Sequence, residues 1–144
     1  MFLRILKYIP FLFAIRFLLL VNCIVLFFHC LVITQIIPFN IVWAGKLKNL
    51  EEMYVFETVS ILINLFFLFI VLARGGIWKV QFPKQVIDII LWIFVVIFSL
   101  NTIGNLFAAS KLERFVATPL TFLLALFCLR VTSQIENYFR NTNN

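Results

Sequence analysis

The chain has 144 residues, of which 64% are hydrophobic, 17% aromatic and 12% charged, and its mean hydropathy is +1.10. A soluble domain averages about 25% charged residues, so this composition excludes an ordinary soluble protein. A helix that spans a bilayer needs about 20 apolar residues, and several stretches of that length fill more than half of the sequence. We therefore predict an all-α integral membrane protein. Its single domain, residues 1–144, would be a bundle of four transmembrane helices with an N-terminal interfacial helix.

The net charge of +6 would suggest nucleic-acid binding in a soluble protein. Here the Lys and Arg residues flank apolar stretches, where such residues determine membrane topology, so we expect no nucleic-acid partner. Cys23, Cys30 and Cys128 all lie inside apolar stretches and are odd in number. They are therefore interpreted as small packing residues and not as a disulfide framework or metal site. No cofactor and no metal are expected.

The first sixteen residues are apolar but carry three basic side chains, Arg4, Lys7 and Arg16. Basic groups at headgroup level with apolar neighbours dipping inward are typical of an interfacial helix, which we predict for this segment. A signal peptide is the alternative, because Val42-Trp43-Ala44 resembles a small-residue cleavage site. The apolar run that precedes it is too long for that interpretation.

Four spans follow, at about residues 17–37, 54–73, 86–108 and 115–131. Pro38 ends the first, the flexible turn Arg74-Gly75-Gly76 ends the second, and Pro83 precedes the third. Orientation follows from the basic residues on each side of the membrane. One side receives Arg4, Lys7, Arg16, Arg74, Lys79, Lys84, Arg130 and Arg140, and the other receives Lys46, Lys48, Lys111 and Arg114. This bias predicts that both termini are cytoplasmic.

In that topology the polar residues inside the spans lie mostly in the outer half of the membrane. They are His29, Glu57, Ser60, Asn64, Asn101, Thr102 and Asn105. Glu57, Ser60 and Asn64 share one stripe of the second span, and Asn101 and Asn105 are one turn apart on the third. Both stripes should face the bundle interior, because an amide or acid facing lipid is unfavourable. They could line a polar pocket open to the outer face, or they could hydrogen-bond between helices, which we favour.

Three charged or titratable side chains, His29, Glu57 and Arg130, lie within or near the predicted spans. A hydrogen-bonded packing role is favoured for His29 over a proton carrier or ligand, since no second ligand lies at helical spacing. Glu57 follows two other acids near the rim, which favours a solvated interfacial acid over a buried ion or proton site. Arg130, near the cytoplasmic end of the last span, is expected to extend to the headgroups.

Small residues spaced four apart indicate close helix contacts on the last two spans. They are Gly104 and Ala108 on the third span, and Ala117, Thr121 and Ala125 on the fourth. Not all of these faces need be used inside one bundle, so we expect the chain to associate through them.

One set of short segments resembles the C-terminal half of small bacterial four-span inner-membrane proteins that have no assigned activity. The segments are Asn101-Thr102-Ile103-Gly104-Asn105, Glu113-Arg114, Thr118-Pro119-Leu120-Thr121 and Leu129-Arg130. The resemblance covers about a quarter of the chain. It implies the four-helix topology and a bacterial inner-membrane location, and nothing about activity.

The sequence shows no catalytic constellation, since it has a single His and its few glycines form no nucleotide loop. We therefore expect a non-catalytic accessory or structural subunit, surrounded by the lipid bilayer and associated with itself or with other membrane-protein subunits. The alternative is a small channel or transporter built around the outer polar residues. A solute path must cross the whole bilayer, and the inner half of one chain offers little polar lining.

Overall fold

A computed structural model shows the chain as a four-helix bundle, and it describes Leu6, residues 8–79 and 81–108, Lys111 and residues 113–132. Helix α1 is Phe11–Ile33, α2 is Leu50–Arg74, α3 is Lys84–Leu106 and α4 is Thr118–Val131. A π-helical turn, Glu113–Ala117, leads directly into α4. The connection between α1 and α2 contains two short 3₁₀ turns, Phe39–Ile41 and Trp43–Gly45. The described part of the chain contains no strand, which confirms the all-α fold.

All four helical segments are long and apolar enough to cross a membrane. Helices α1 and α3 have 23 residues, α2 has 25, and the π-turn with α4 has 19. At 1.5 Å per residue, a 23-residue helix is about 34 Å long, slightly more than the hydrocarbon core of a bilayer. The length and composition of the helices thus confirm the prediction of a four-span membrane protein.

Local sequence signals explain where the helices begin. Pro10 and Pro83 have extended backbones immediately before α1 and α3, where a missing amide proton costs nothing. At the start of α2, the Asn49 side chain accepts a hydrogen bond from the Glu52 amide at 2.8 Å. Glu51 lies in the same first turn, where acids interact favourably with the helix dipole.

The start of the first span differs from the prediction. We expected an interfacial helix over residues 1–16 and a span from about residue 17, whereas Phe11–Arg16 belong to α1 itself. Ala14 and Ile15 are buried in the bundle core there, so this segment packs against protein and does not lie on the membrane surface. The remainder of the expected interfacial helix falls on residues 1–10, and of these 1–5 and 7 lie outside the described residues.

Each helix packs against two neighbours, so the four form a closed ring in the order α1, α2, α3, α4. All four contribute to one core, for example through Leu18, Phe67, Leu91 and Cys128. Aromatic rings pack in two of the interfaces. Phe17 stacks on Phe127 at 4.2 Å between α1 and α4, and Phe67 and Phe94 have centroids 4.6 Å apart between α2 and α3. We call the end that carries the α1–α2 connection, residues 34–49, the distal end, and the opposite one, where α1 begins and α4 ends, the proximal end.

Candidate functional site

A hydrogen-bonded cluster at the distal end joins α1, α2 and the connection between them. Glu57, two turns into α2, is only 1% exposed although it carries a carboxyl group. Its Oε2 atom lies 2.6 Å from His29 Nδ1 of α1, and its Oε1 atom accepts a hydrogen bond from Trp43 Nε1 at 2.7 Å. Both carboxyl oxygens therefore have a partner, as a buried acid requires. We call His29, Trp43 and Glu57 the acid cluster.

One proton must lie between His29 and Glu57. An ionised carboxylate and an unprotonated ring nitrogen both accept hydrogen bonds, so at 2.6 Å either Nδ1 or Oε2 carries the hydrogen. The distance is as short as those of charge-assisted hydrogen bonds. The cluster can therefore hold one proton at a defined place between two helices.

The connection between α1 and α2 is folded onto the helix ends by the same cluster. Trp43 has a backbone φ of 54°, a left-handed conformation that bulky residues rarely adopt. Its ring packs against Phe56 of α2, with centroids 5.0 Å apart. The preceding Val42 is buried with Val32 and Met53 in a small second core. Packing on one side and the indole hydrogen bond on the other hold the unusual backbone in place.

A second polar contact between α1 and α2 lies two helical turns deeper in the bundle. Asn22, which is 2% exposed, donates from Nδ2 to the backbone oxygen of Asn64 at 3.0 Å. Asn64 donates in turn to the backbone oxygen of Ser60 at 2.8 Å. Asn22 and His29 are seven residues apart on α1, as are Glu57 and Asn64 on α2, so the two contacts repeat along one antiparallel seam.

Helices α3 and α4 have a polar contact of their own. The hydroxyls of Thr102 and Thr121 are 3.0 Å apart, and each also lies within hydrogen-bond distance of a backbone oxygen of its own helical segment. Because each hydroxyl has one hydrogen, one of them donates to the other while its partner donates to backbone. The prediction that Asn101 and Asn105 face the bundle interior is wrong for Asn101, which is exposed, because Thr102 and not Asn101 faces α4. Asn105 is half-buried. The structure thus divides the predicted polar cluster into an α1–α2 seam with His29, Glu57, Ser60 and Asn64, a Thr102–Thr121 contact, and a separate pair of amides.

The burial of Glu57 corrects one prediction. Its position near the rim favoured a solvated interfacial acid, but the carboxyl group is covered by α1 and by Trp43. That interpretation is wrong because the connection folds back over the end of α2, which the helical pattern of α2 alone does not reveal. The prediction that His29 is hydrogen-bonded is confirmed.

The small residues have different environments. Ala108 and Ala125 are buried, so they do permit close packing within the chain. Thr121 contacts Thr102 across the α3–α4 interface, and Ala117 is half-buried. Gly104 is exposed, and a Cβ atom added to it would meet nothing within 4 Å. Its small size is therefore not needed for packing inside this chain.

Charged residues are buried at the proximal end, where we predicted an almost purely apolar interior. Asp88 and Arg130 are only 7% and 8% exposed. Arg130 donates from Nε to the backbone oxygen of Ile9 at 2.8 Å, so the prediction that it extends to the headgroups is wrong. Arg74 donates to the backbone oxygen of Val131 at 2.6 Å and lies over the Phe11 ring at 5.0 Å. These contacts fasten the ends of α2 and α4 to neighbouring backbone.

Two residues that hold α1, α2 and their connection together were missed by the sequence interpretation. Asn22 was not assigned to the predicted polar cluster, although its spacing of seven from His29 places both on one helix face. Trp43 was considered as part of a signal-peptide cleavage site, and nothing in the sequence pattern indicates its hydrogen bond to an acid in the next helix.

Comparisons of the chain with protein-family models, with curated proteins and with solved structures give no match.

Proposed function

We propose that this chain is a non-catalytic multi-pass membrane protein that acts as an accessory or structural subunit of a membrane complex or homo-oligomer. The observation that supports this most is the use of polar side chains inside the bundle. Glu57 is held by His29 and Trp43, and Asn22 by the backbone of α2. The His29–Glu57 and Asn22–Asn64 contacts each fix α1 against α2, which is the role expected of a rigid scaffold.

The surface of the bundle also fits this role. Every helix exposes large apolar side chains, including Leu12 at 60%, Leu62 at 61%, Ile89 at 61% and Phe122 at 49%. Such a surface suits a lipid bilayer and, where two proteins meet in it, another helix. Apolarity alone does not distinguish the two surroundings, because lipid tails are as apolar as leucine.

A small channel or transporter is the alternative function. It is favoured only by Asn101 and Asn105, whose amides are accessible on α3. The acid cluster and the Asn22–Asn64 contact give it less support, because these groups hydrogen-bond to protein and not to a solute.

For location we propose a bacterial inner membrane with both termini in the cytoplasm, so that the distal end faces outward. Arg16, Lys79 and Lys84 are exposed at the proximal end, in agreement with the basic bias that predicts this orientation. The resemblance noted in the sequence supports the membrane proposed.

Cysteine labelling in intact cells tests the orientation. In a background with Cys23 and Cys30 replaced by Ala, Lys46→Cys should react with a membrane-impermeant maleimide added outside. Lys79→Cys should react only after the cells are permeabilised, because both sites are exposed but lie at opposite ends of the bundle. The reverse labelling pattern would contradict the proposed orientation.

Mass measurement in native nanodiscs tests the proposed function. We expect the wild-type chain to be extracted as a complex, with itself or with a second membrane protein, since a scaffold subunit acts only in an assembly. A strictly monomeric particle without any copurifying protein would contradict the proposal. Solute flux in liposomes that hold only the purified chain would favour the channel.

A further inference from the structure

Two amide side chains and a glycine lie together on the outer surface of α3. Asn101 and Gly104 are exposed and Asn105 is half-buried, and the three positions fall within about one helical turn. Within the described part of the chain, neither amide side chain hydrogen-bonds to another group. The space beside Gly104 is open, since an added Cβ atom would meet nothing within 4 Å. We call Asn101, Gly104 and Asn105 the amide surface.

Asn101 lies at a depth where water is scarce, whereas Gly104 and Asn105, at the end of α3, lie at the boundary of the hydrocarbon core. Asn101 is five residues before the end of α3, which is about 7 Å along the helix axis. When a helix of this length is centred in a hydrocarbon core of about 30 Å, Asn101 lies about 5 Å below the boundary. Its side chain is too short to reach the headgroups as Lys or Arg can. An amide there is costly unless another group accepts and donates hydrogen bonds.

The other polar groups at this level of the bundle do have partners. Glu57, at a similar distance from the distal end on α2, is held by His29 and Trp43, and Thr102, next to Asn101 in sequence, bonds to Thr121. Helix α2, the neighbour of α3 in the bundle, packs against it less extensively than the other adjacent helices pack together. Asn101 and Gly104 are therefore left exposed by the described helices while nearby polar side chains have partners.

We propose that the amide surface binds the same surface of a second copy of this chain, so that two α3 helices pack side by side. The proposal rests on the proposed function and specifies which surface makes the homo-oligomer. An amide has two donor hydrogens and an acceptor oxygen, so two identical amides satisfy each other. Gly104 would let the two backbones approach closely, as small residues do at transmembrane helix interfaces.

Membrane topology favours a second copy over other occupants. All copies have the same orientation, so a twofold axis along the membrane normal places Asn101 opposite Asn101 at equal depth. A lipid tail offers no hydrogen bond at this depth. A different protein would need a polar side chain at the matching depth, a requirement that the second copy meets without any further assumption.

Disulfide cross-linking in membranes tests the surface. Cys23 and Cys30, which are exposed, are replaced by Ala, and Cys128 is kept because it is fully buried. Single variants Asn101→Cys and Gly104→Cys are compared with Ser99→Cys, which is also exposed but lies about 200° around the helix from Asn101. We expect at least about fivefold more disulfide-linked dimer at Asn101 and Gly104 than at Ser99, because a disulfide needs Cα atoms within about 7 Å.

A leucine variant provides the second measurement. The double variant Asn101→Leu with Asn105→Leu should keep the helical circular dichroism spectrum of a folded chain. In nanodiscs it should have the mass of a monomer, because the amides that join the two copies are gone. Equal cross-linking at all three cysteine positions, or linkage to a different protein, would overturn the proposal. If both the wild type and the leucine variant are oligomeric, the amide surface is not the interface, and the proposed function stands. A wild-type monomer without partners overturns both.

Discussion

Replacing His29 by Leu should lower the free energy of unfolding by about 2 kcal/mol, because the carboxyl group of Glu57 would lose one of its two hydrogen-bond partners while staying buried. Helix contacts between neutral polar groups in membranes are worth only about 0.6 kcal/mol on average. The larger value is expected here since an acid in a buried site has no access to water that could replace the imidazole. Reversible unfolding by an anionic detergent in mixed micelles measures the effect.

The double variant His29→Leu with Glu57→Leu is the control for this interpretation. Removing both partners leaves no buried acid without a donor, so the double variant should be more stable than His29→Leu alone. The two single effects should then differ from additivity by about 1 kcal/mol or more, as they do for residues in direct contact. Strict additivity would mean that His29 acts by packing alone, and that the 2.6 Å contact contributes little.

Trp43 completes the same cluster but was not predictable from the pattern of the helices. The stripe of Glu57, Ser60 and Asn64 was found from sequence because helical periodicity alone puts such residues on one face. Which group meets Glu57 depends on the path of the connection, where Trp43 adopts a left-handed backbone. Left-handed backbone is usually predicted from a glycine or an asparagine, and this position has neither, so the sequence does not indicate the turn.

The remaining differences between the sequence predictions and the structure also arise from contacts between segments that are distant in sequence. Apolar length predicts that a span exists, but the boundary of α1 is set by Pro10 and by the burial of Ala14 and Ile15, both of which depend on the neighbouring helices. Arg130 was expected to behave as a single side chain at a helix end. In the bundle it reaches the backbone of Ile9, 121 residues away in sequence, a contact that only the antiparallel order of the helices creates.

The Gly75→Ala variant should destabilise the bundle by about 1 to 2 kcal/mol, because the added methyl group has no room. A Cβ atom at this position would lie 2.8 Å from Ile15 Cγ2 and 3.3 Å from the backbone oxygen of Val71. Ile15 is only 1% exposed, so it cannot move aside into lipid. The φ of Gly75 is −74°, which any residue adopts, and the cost is therefore one of space and not of backbone conformation.

A compensating change at Ile15 separates this explanation from a general effect on the turn. Ile15→Leu keeps the side-chain volume but removes the branch at Cβ, and with it the Cγ2 atom that the new methyl group would strike. Alone it should cost less than about 1.5 kcal/mol. In the double variant most of the Gly75→Ala penalty should disappear, as measured by the same unfolding assay. If the two penalties simply add, the contact between the start of α1 and the end of α2 is looser than the 2.8 Å separation indicates.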